Sequence, residues 1–140
     1  MAIRYIESSA LLAALLEHDA EAVAAVQAAG RHVTSALTVA EASRAVVRAR
    51  VTGRLTVVQE QAAVRSLRTF ARRCFIVDVN EAVLARVGRP FPLEPVRTLD
   101  AVHLATAEML DDSPQLVTVV SRDARVRDNA RALGYAVEPT

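Results

Sequence analysis

Four acidic residues stand where a chain can use them for chemistry: Glu7, Glu41, Asp100 and Asp123. Glu7 and Asp123 follow apolar runs that read as strands, and Glu41 and Asp100 lie in the first turns of helical stretches. If all four met, repulsion of about 1 to 4 kcal/mol per close pair would oppose their ionisation. A divalent cation removes that conflict. Oxygen ligands without cysteine or paired histidine favour a hard ion, Mg²⁺ or Mn²⁺. Such an ion suits phosphodiester hydrolysis, because it holds the phosphate and offsets charge developing in the transition state.

Each acid also has a plain structural explanation. Thr38-Val39-Ala40-Glu41 fits a capping box, in which the glutamate returns a hydrogen bond to the cap. Asp100 can complement a helix dipole and Asp123 can cap the helix after it. Glu7 is harder to account for this way: at the end of a buried strand a carboxylate must be solvated, paired or bound to a cation.

The elements that must position these acids are legible in outline. Ala2 to Ile6 reads as a buried strand, followed by a helix to Leu16 capped by Ser8 or Ser9. A helix from Ala20 to Ala29 closes at Gly30, and His32 to Ser35 is a strand leading to a helix from Thr38 to about Val51. After Gly53 come a helix from about Val57 to Arg72, a strand from Phe75 to Val79, and a short helix starting at Asn80. Residues 88–95 hold three prolines and read as a loop. Thr98 caps a helix through Met109, Asp111 to Pro114 is a turn, and Leu116 to Val120 is an apolar strand. A helix from Ala124 to Leu133 stops at Gly134, and Tyr135 to Val137 forms an edge strand.

Strands without clean polar alternation, each followed by a helix, predict a mainly parallel sheet covered on both faces, a three-layer α/β/α sandwich. In such sheets sites form beyond the carboxyl ends of the strands, which is where the four acids fall.

The composition narrows the chemistry further. The 140 residues suit one domain spanning 1–140, with 52% hydrophobic and 4% aromatic residues predicting an aliphatic core. No apolar run reaches the roughly 20 residues of a bilayer span, and no signal-type segment opens the chain, so a cytoplasmic protein is expected. The single cysteine, Cys74, precludes an internal disulfide. All 17 basic residues are arginine, which excludes Schiff-base chemistry and a P-loop lysine. A net charge of +1 provides no global attraction for nucleic acid.

With those residues in view, the chain resembles the PIN-domain ribonuclease family, in particular the VapC-like toxins. The resemblance rests on Tyr5-Ile6-Glu7-Ser8-Ser9-Ala10-Leu11, Thr38-Val39-Ala40-Glu41, Leu99-Asp100-Ala101-Val102-His103-Leu104-Ala105 and Val120-Ser121-Arg122-Asp123. It implies a five-stranded parallel sheet, Mg²⁺ or Mn²⁺ in an acidic cleft, endonucleolytic cleavage of RNA, homodimers, and inhibition by a small antitoxin. By position it implies Glu7 and Asp100 as main metal ligands and Asp123 as a further ligand, direct or through water. Glu41 would orient water or serve a second metal, and Ser9 would be the supporting hydroxyl. The family more commonly has aspartate at the position of Glu7, and the extra methylene moves the carboxylate outward.

Arg44 and Arg48, spaced i, i+4 on the Glu41 helix, can meet phosphates by forked hydrogen bonds, or form a solvated face. His103, three residues after Asp100, reads as a packed or supporting residue. Two rivals stay open: a non-cleaving PIN-like interaction module, and a phosphotransfer protein of another α/β class. The missing lysine and the glutamate after strand one argue against the second.

Overall fold

The computed structural model describes residues 2–110 and 113–140. Among them, five strands form one sheet: β1 (Ile3–Ile6), β2 (Arg31–Ser35), β3 (Phe75–Val77), β4 (Val117–Val120) and β5 (Ala136–Glu138). All pairings are parallel, in the order β3-β2-β1-β4-β5. The helices are α1 (Ser8–Leu16), α2 (Ala20–Gln27), α3 (Ala36–Val51), α4 (Val57–Arg73), α5 (Glu81–Val87), α6 (Thr98–Glu108) and α7 (Ala124–Ala132). The expected three-layer sandwich with a five-stranded parallel sheet is therefore the observed one.

Strand alternation assigns the two faces. Ile3, Tyr5, Val117 and Val119 point into one core with residues of α5, α6 and α7. Ile6 and Val120 point the other way, against Ala10, Leu11, Ala25, Val26, Ala42, Leu67 and Phe70 of α1 to α4. Successive side chains of a strand leave opposite faces, so each central strand contributes to both layers. No helix among the described residues is long and apolar enough to cross a membrane.

The chain runs outward from β1 through β2 to β3, then crosses back to β4 beside β1. The order in which strands are added reverses between β1 and β4, and the crevice beyond their carboxyl ends is the position where open α/β sheets form their sites. Gly30 controls the approach to β2: its φ is +140°, and an added Cβ would sit 2.9 Å from the carbonyl oxygen of Ala2. Only glycine meets both demands there.

Several element starts differ from expectation. Helix α3 begins at Ala36, with Ser35 accepting from the Leu37 amide, so the Thr38–Glu41 capping box does not form. The reason is that β2 runs directly into its cap without an intervening loop. Thr38 is then inside the helix, fully buried, and its Oγ1 has no hydrogen-bond partner among the described residues. The cap of α1 is Glu7, not Ser8 or Ser9; its carboxylate accepts from the Ser9 amide. Helix α6 is preceded by Arg97 with no side-chain cap, and Thr98 is its first residue. Strand β3 ends at Val77 and is an edge, with Phe75 64% exposed. Strand β5 starts one residue later than expected, and a 3-10 turn at Pro114–Leu116 precedes β4. The turn expected at Asp111 to Pro114 falls partly on 111–112, outside the described residues.

Candidate active site

Glu7 leaves β1 as the cap of α1, so its side chain bends back over the helix start. It is only 3% exposed. A buried carboxylate needs donors on each oxygen, and four reach this one. Oε2 accepts from the Ser8 hydroxyl at 2.8 Å and the Ser9 amide at 2.9 Å. Oε1 accepts from the Ser121 hydroxyl at 2.5 Å and from the Ser9 hydroxyl. Ser9 Oγ also accepts from the amides of Arg122, at 2.8 Å, and Asp123, at 3.0 Å. One hydroxyl thus ties the end of β1 to the segment leaving β4.

Asp123 lies on that segment and caps α7 by accepting from the Val126 amide. Capping and a role in the cleft are compatible, because its second oxygen faces Arg97 Nη2 at 3.3 Å. Arg97 Nε donates to Asp100 Oδ2 at 3.1 Å. A cation at a helix N-terminus opposes the dipole; here the two acids supply the compensating charge. They hold the Arg97 guanidinium above its ordinary pKa through the Asp100 hydrogen bond and charge, then the charge of Asp123.

Asp100 is buried, and burial pushes its carboxyl above the ordinary aspartate value. The Arg97 hydrogen bond opposes the rise, while the charges of Asp123 and Glu7 add to it. Three acids from three segments therefore feel one another at the crevice. Their side chains are nonetheless turned to serine and arginine partners, and among the described residues no three His, Cys, Asp or Glu side chains are arranged to hold one ion.

Glu41 reaches the same region from the second turn of α3. Its Oε1 lies 2.7 Å from Nε2 of His103, whose Nδ1 lies 2.9 Å from the hydroxyl of Tyr5. The same Nε2 is 3.9 Å from Glu7 Oε2. Burial, followed by the charges of Glu7 and Glu41, pushes the Tyr5 phenol well above its ordinary pKa, so it remains an O–H group. His103, read from the sequence as a packed or supporting residue, is both; its bonds to Glu41 and Tyr5 are what sequence reasoning missed. The signal was available: a histidine among apolar residues on the helix of a candidate ligand must pair both ring nitrogens if buried.

Arg44 and Arg48 are exposed on α3. An open groove of about 480 Å³ borders the acids, lined by Pro95, Val96, Arg97, Asp123, Ala124 and Arg125.

Comparison with known proteins gives concordant results. The family profile described as PIN domain matches residues 4–132. The chain is 34% identical to Ribonuclease VapC35 of Mycobacterium tuberculosis over 137 residues, 95% of this chain and 93% of the relative. It is 34% identical to Ribonuclease VapC46 of the same species over 139 residues, 98% and 97% of the two chains. Among solved structures, VapBC2 from Rickettsia felis bound to a promoter DNA fragment superposes with a TM-score of 0.66. It covers 97% of each chain at 14% identity, a likeness of fold.

Proposed function

This chain belongs to the PIN-domain family, and from that membership and its acidic crevice we propose that it is a divalent-metal-dependent endoribonuclease, the toxin of a toxin–antitoxin pair. The observation that carries the metal-dependent part is geometric: Asp100 and Asp123, from different segments, face one shared positive group, Arg97, at 3.1 and 3.3 Å. Relatives named as ribonucleases support the reaction class, and the likeness to a VapBC protein supports a small antitoxin partner.

The donor set fits a hard cation. The acids offer only oxygen, and the gap between Asp100 and Asp123 already seats the positive guanidinium of Arg97. Asp100 and Asp123 would hold Mg²⁺ or Mn²⁺, with Glu7 joining by rotating away from its serines. The bound ion supplies Lewis acidity toward a phosphodiester and offsets its developing negative charge. Ser9, whose hydroxyl accepts from the Arg122 and Asp123 amides, ties the end of β1 to the segment that carries Asp123, so the two segments stay together when Glu7 turns. Glu41 would orient water and take its proton, or serve a second metal. Arg44 and Arg48 would meet the RNA backbone through forked contacts. We assign residues 1–140 to one domain acting in the cytoplasm as a homodimer.

One observation favours a second reading. Glu7 is occupied by four donors and Arg97 by two acids, an arrangement that also suits a non-cleaving module binding a partner through the same face. RNA cleavage with and without Mn²⁺, with Asp100→Asn as control, separates the two. The enzyme yields metal-dependent product that the substitution abolishes while the fold persists; equal products from both proteins would refute the assignment.

A further inference from the structure

A single ring nitrogen, Nε2 of His103, stands between two acids that come from different elements. It is 2.7 Å from Glu41 on α3 and 3.9 Å from Glu7 at the end of β1. From this juxtaposition we infer that His103 is a positioning residue, which aims the Glu41 carboxylate into the acidic crevice and is itself oriented by Tyr5. The inference rests on the endoribonuclease reading for its catalytic consequence, but not for its geometry.

The physical case begins with burial. His103 is 1% exposed and Tyr5 is fully buried, so neither ring has water to satisfy its polar atoms. Both imidazole nitrogens face a protein partner, and those partners fix the hydrogens. A carboxylate only accepts, so Nε2 carries the proton and donates to Glu41. In the neutral imidazole Nδ1 is then the acceptor, and the Tyr5 hydroxyl donates to it. The chain of bonds runs from the sheet through α6 to α3. Rotation of the ring is further limited by the edge-on packing of Tyr5 and His103, with centroids 6.1 Å apart.

Without that donor, no side chain among the described residues anchors Glu41 in the crevice. Its side chain is a quarter exposed, and a glutamate of that exposure samples several rotamers. The ordinary explanation of His103, a core histidine with its nitrogens satisfied, accounts for the Tyr5 bond. It does not account for the second bond, made to an acid at the rim of the crevice and beside another acid.

Two arms test this. In metal-free protein, ¹⁵N-resolved imidazole spectra should show His103 protonated at Nε2, and Glu41→Ala should shift that signal and speed its exchange with solvent. An unprotonated Nε2, or a signal unmoved by Glu41→Ala, overturns the inference whatever the protein does to RNA. In cleavage assays with Mn²⁺, His103→Leu should lower kcat about 10- to 100-fold with KM for RNA unchanged. His103→Gln, which restores a donor near the Nε2 position, should recover most of the rate at a melting temperature no higher than that of the leucine variant. Loss tracking melting temperature, with no recovery by glutamine, assigns His103 to packing alone and overturns the inference. A wild-type protein that cuts no RNA defeats the enzyme reading; the spectra then decide the tether, a shifted signal upholding it and an unmoved one overturning it.

Discussion

Arg97 donates to Asp100 at 3.1 Å from the residue immediately before α6, the place on a helix where a cation is least favoured. Among the described residues its compensation is the pair of acids it joins, Asp100 and Asp123. A divalent ion entering between those acids must displace it. Arg97→Ala should therefore tighten Mn²⁺ binding a few-fold and leave the melting temperature of the metal-free protein little changed, because the side chain is largely exposed. Weaker Mn²⁺ binding in the variant, measured by calorimetry, would show that Arg97 does not compete for that place.

Glu7 concerns stability as well as chemistry. Replacing it with glutamine puts an amide donor among four donors at a buried position. Relief of the repulsion with Asp100 works in the opposite direction, but the loss of charge-assisted bonds is larger. Glu7→Gln should cost about 1 to 3 kcal/mol in denaturant unfolding of the metal-free protein. An unchanged midpoint would mean that the serines reorganise freely and are not a preset cradle.

The start of α3 separates two accounts of Glu41. Ser35, not Thr38, caps the helix, so Ser35→Ala should destabilise by about 1 kcal/mol. Thr38→Val removes a buried hydroxyl that has no partner among the described residues and should be neutral or stabilising. If thermal melts gave the reverse order, the capping box would be restored and Glu41 would be committed to it.

Cys74 provides a pH test away from the crevice. Burial pushes its thiol up to about 12 from an ordinary 9.0. The folded protein then holds the proton more tightly than the unfolded chain, so stability falls as pH rises from about 9 toward 12. Below 9 the thiol is protonated in both states and contributes no slope. Alkylation by iodoacetamide at pH 8 should be much slower for the native protein than for the denatured one; equal rates would contradict the burial.

How much of this was legible in the sequence depends on the kind of signal. The strands β1 and β4 were legible as short apolar runs between helical stretches with identifiable ends, and the switch point between those strands follows from parallel topology. Cap positions were less accessible. Thr38 and Thr98 look like caps because hydroxyls favour that position, yet tertiary geometry begins α3 directly at the end of β2 and places Arg97 before α6. The four acids were recognisable by where they fall relative to strand ends. The partners that occupy them were not, because Ser121, Arg97 and His103 reach them across chain separations that no local pattern encodes. Tyr5 and His103 read as core in the sequence, and they are core; their polar atoms, however, lead to the crevice.

The central claim is that Asp100 anchors a divalent cation in this crevice. Its most direct test is Mn²⁺ binding to the purified protein without RNA, followed by electron paramagnetic resonance for the wild type and for Asp100→Asn. The wild type should bind the ion saturably and the variant at least about tenfold more weakly, with both equally folded by circular dichroism. Identical Mn²⁺ titrations for the two proteins would contradict the account.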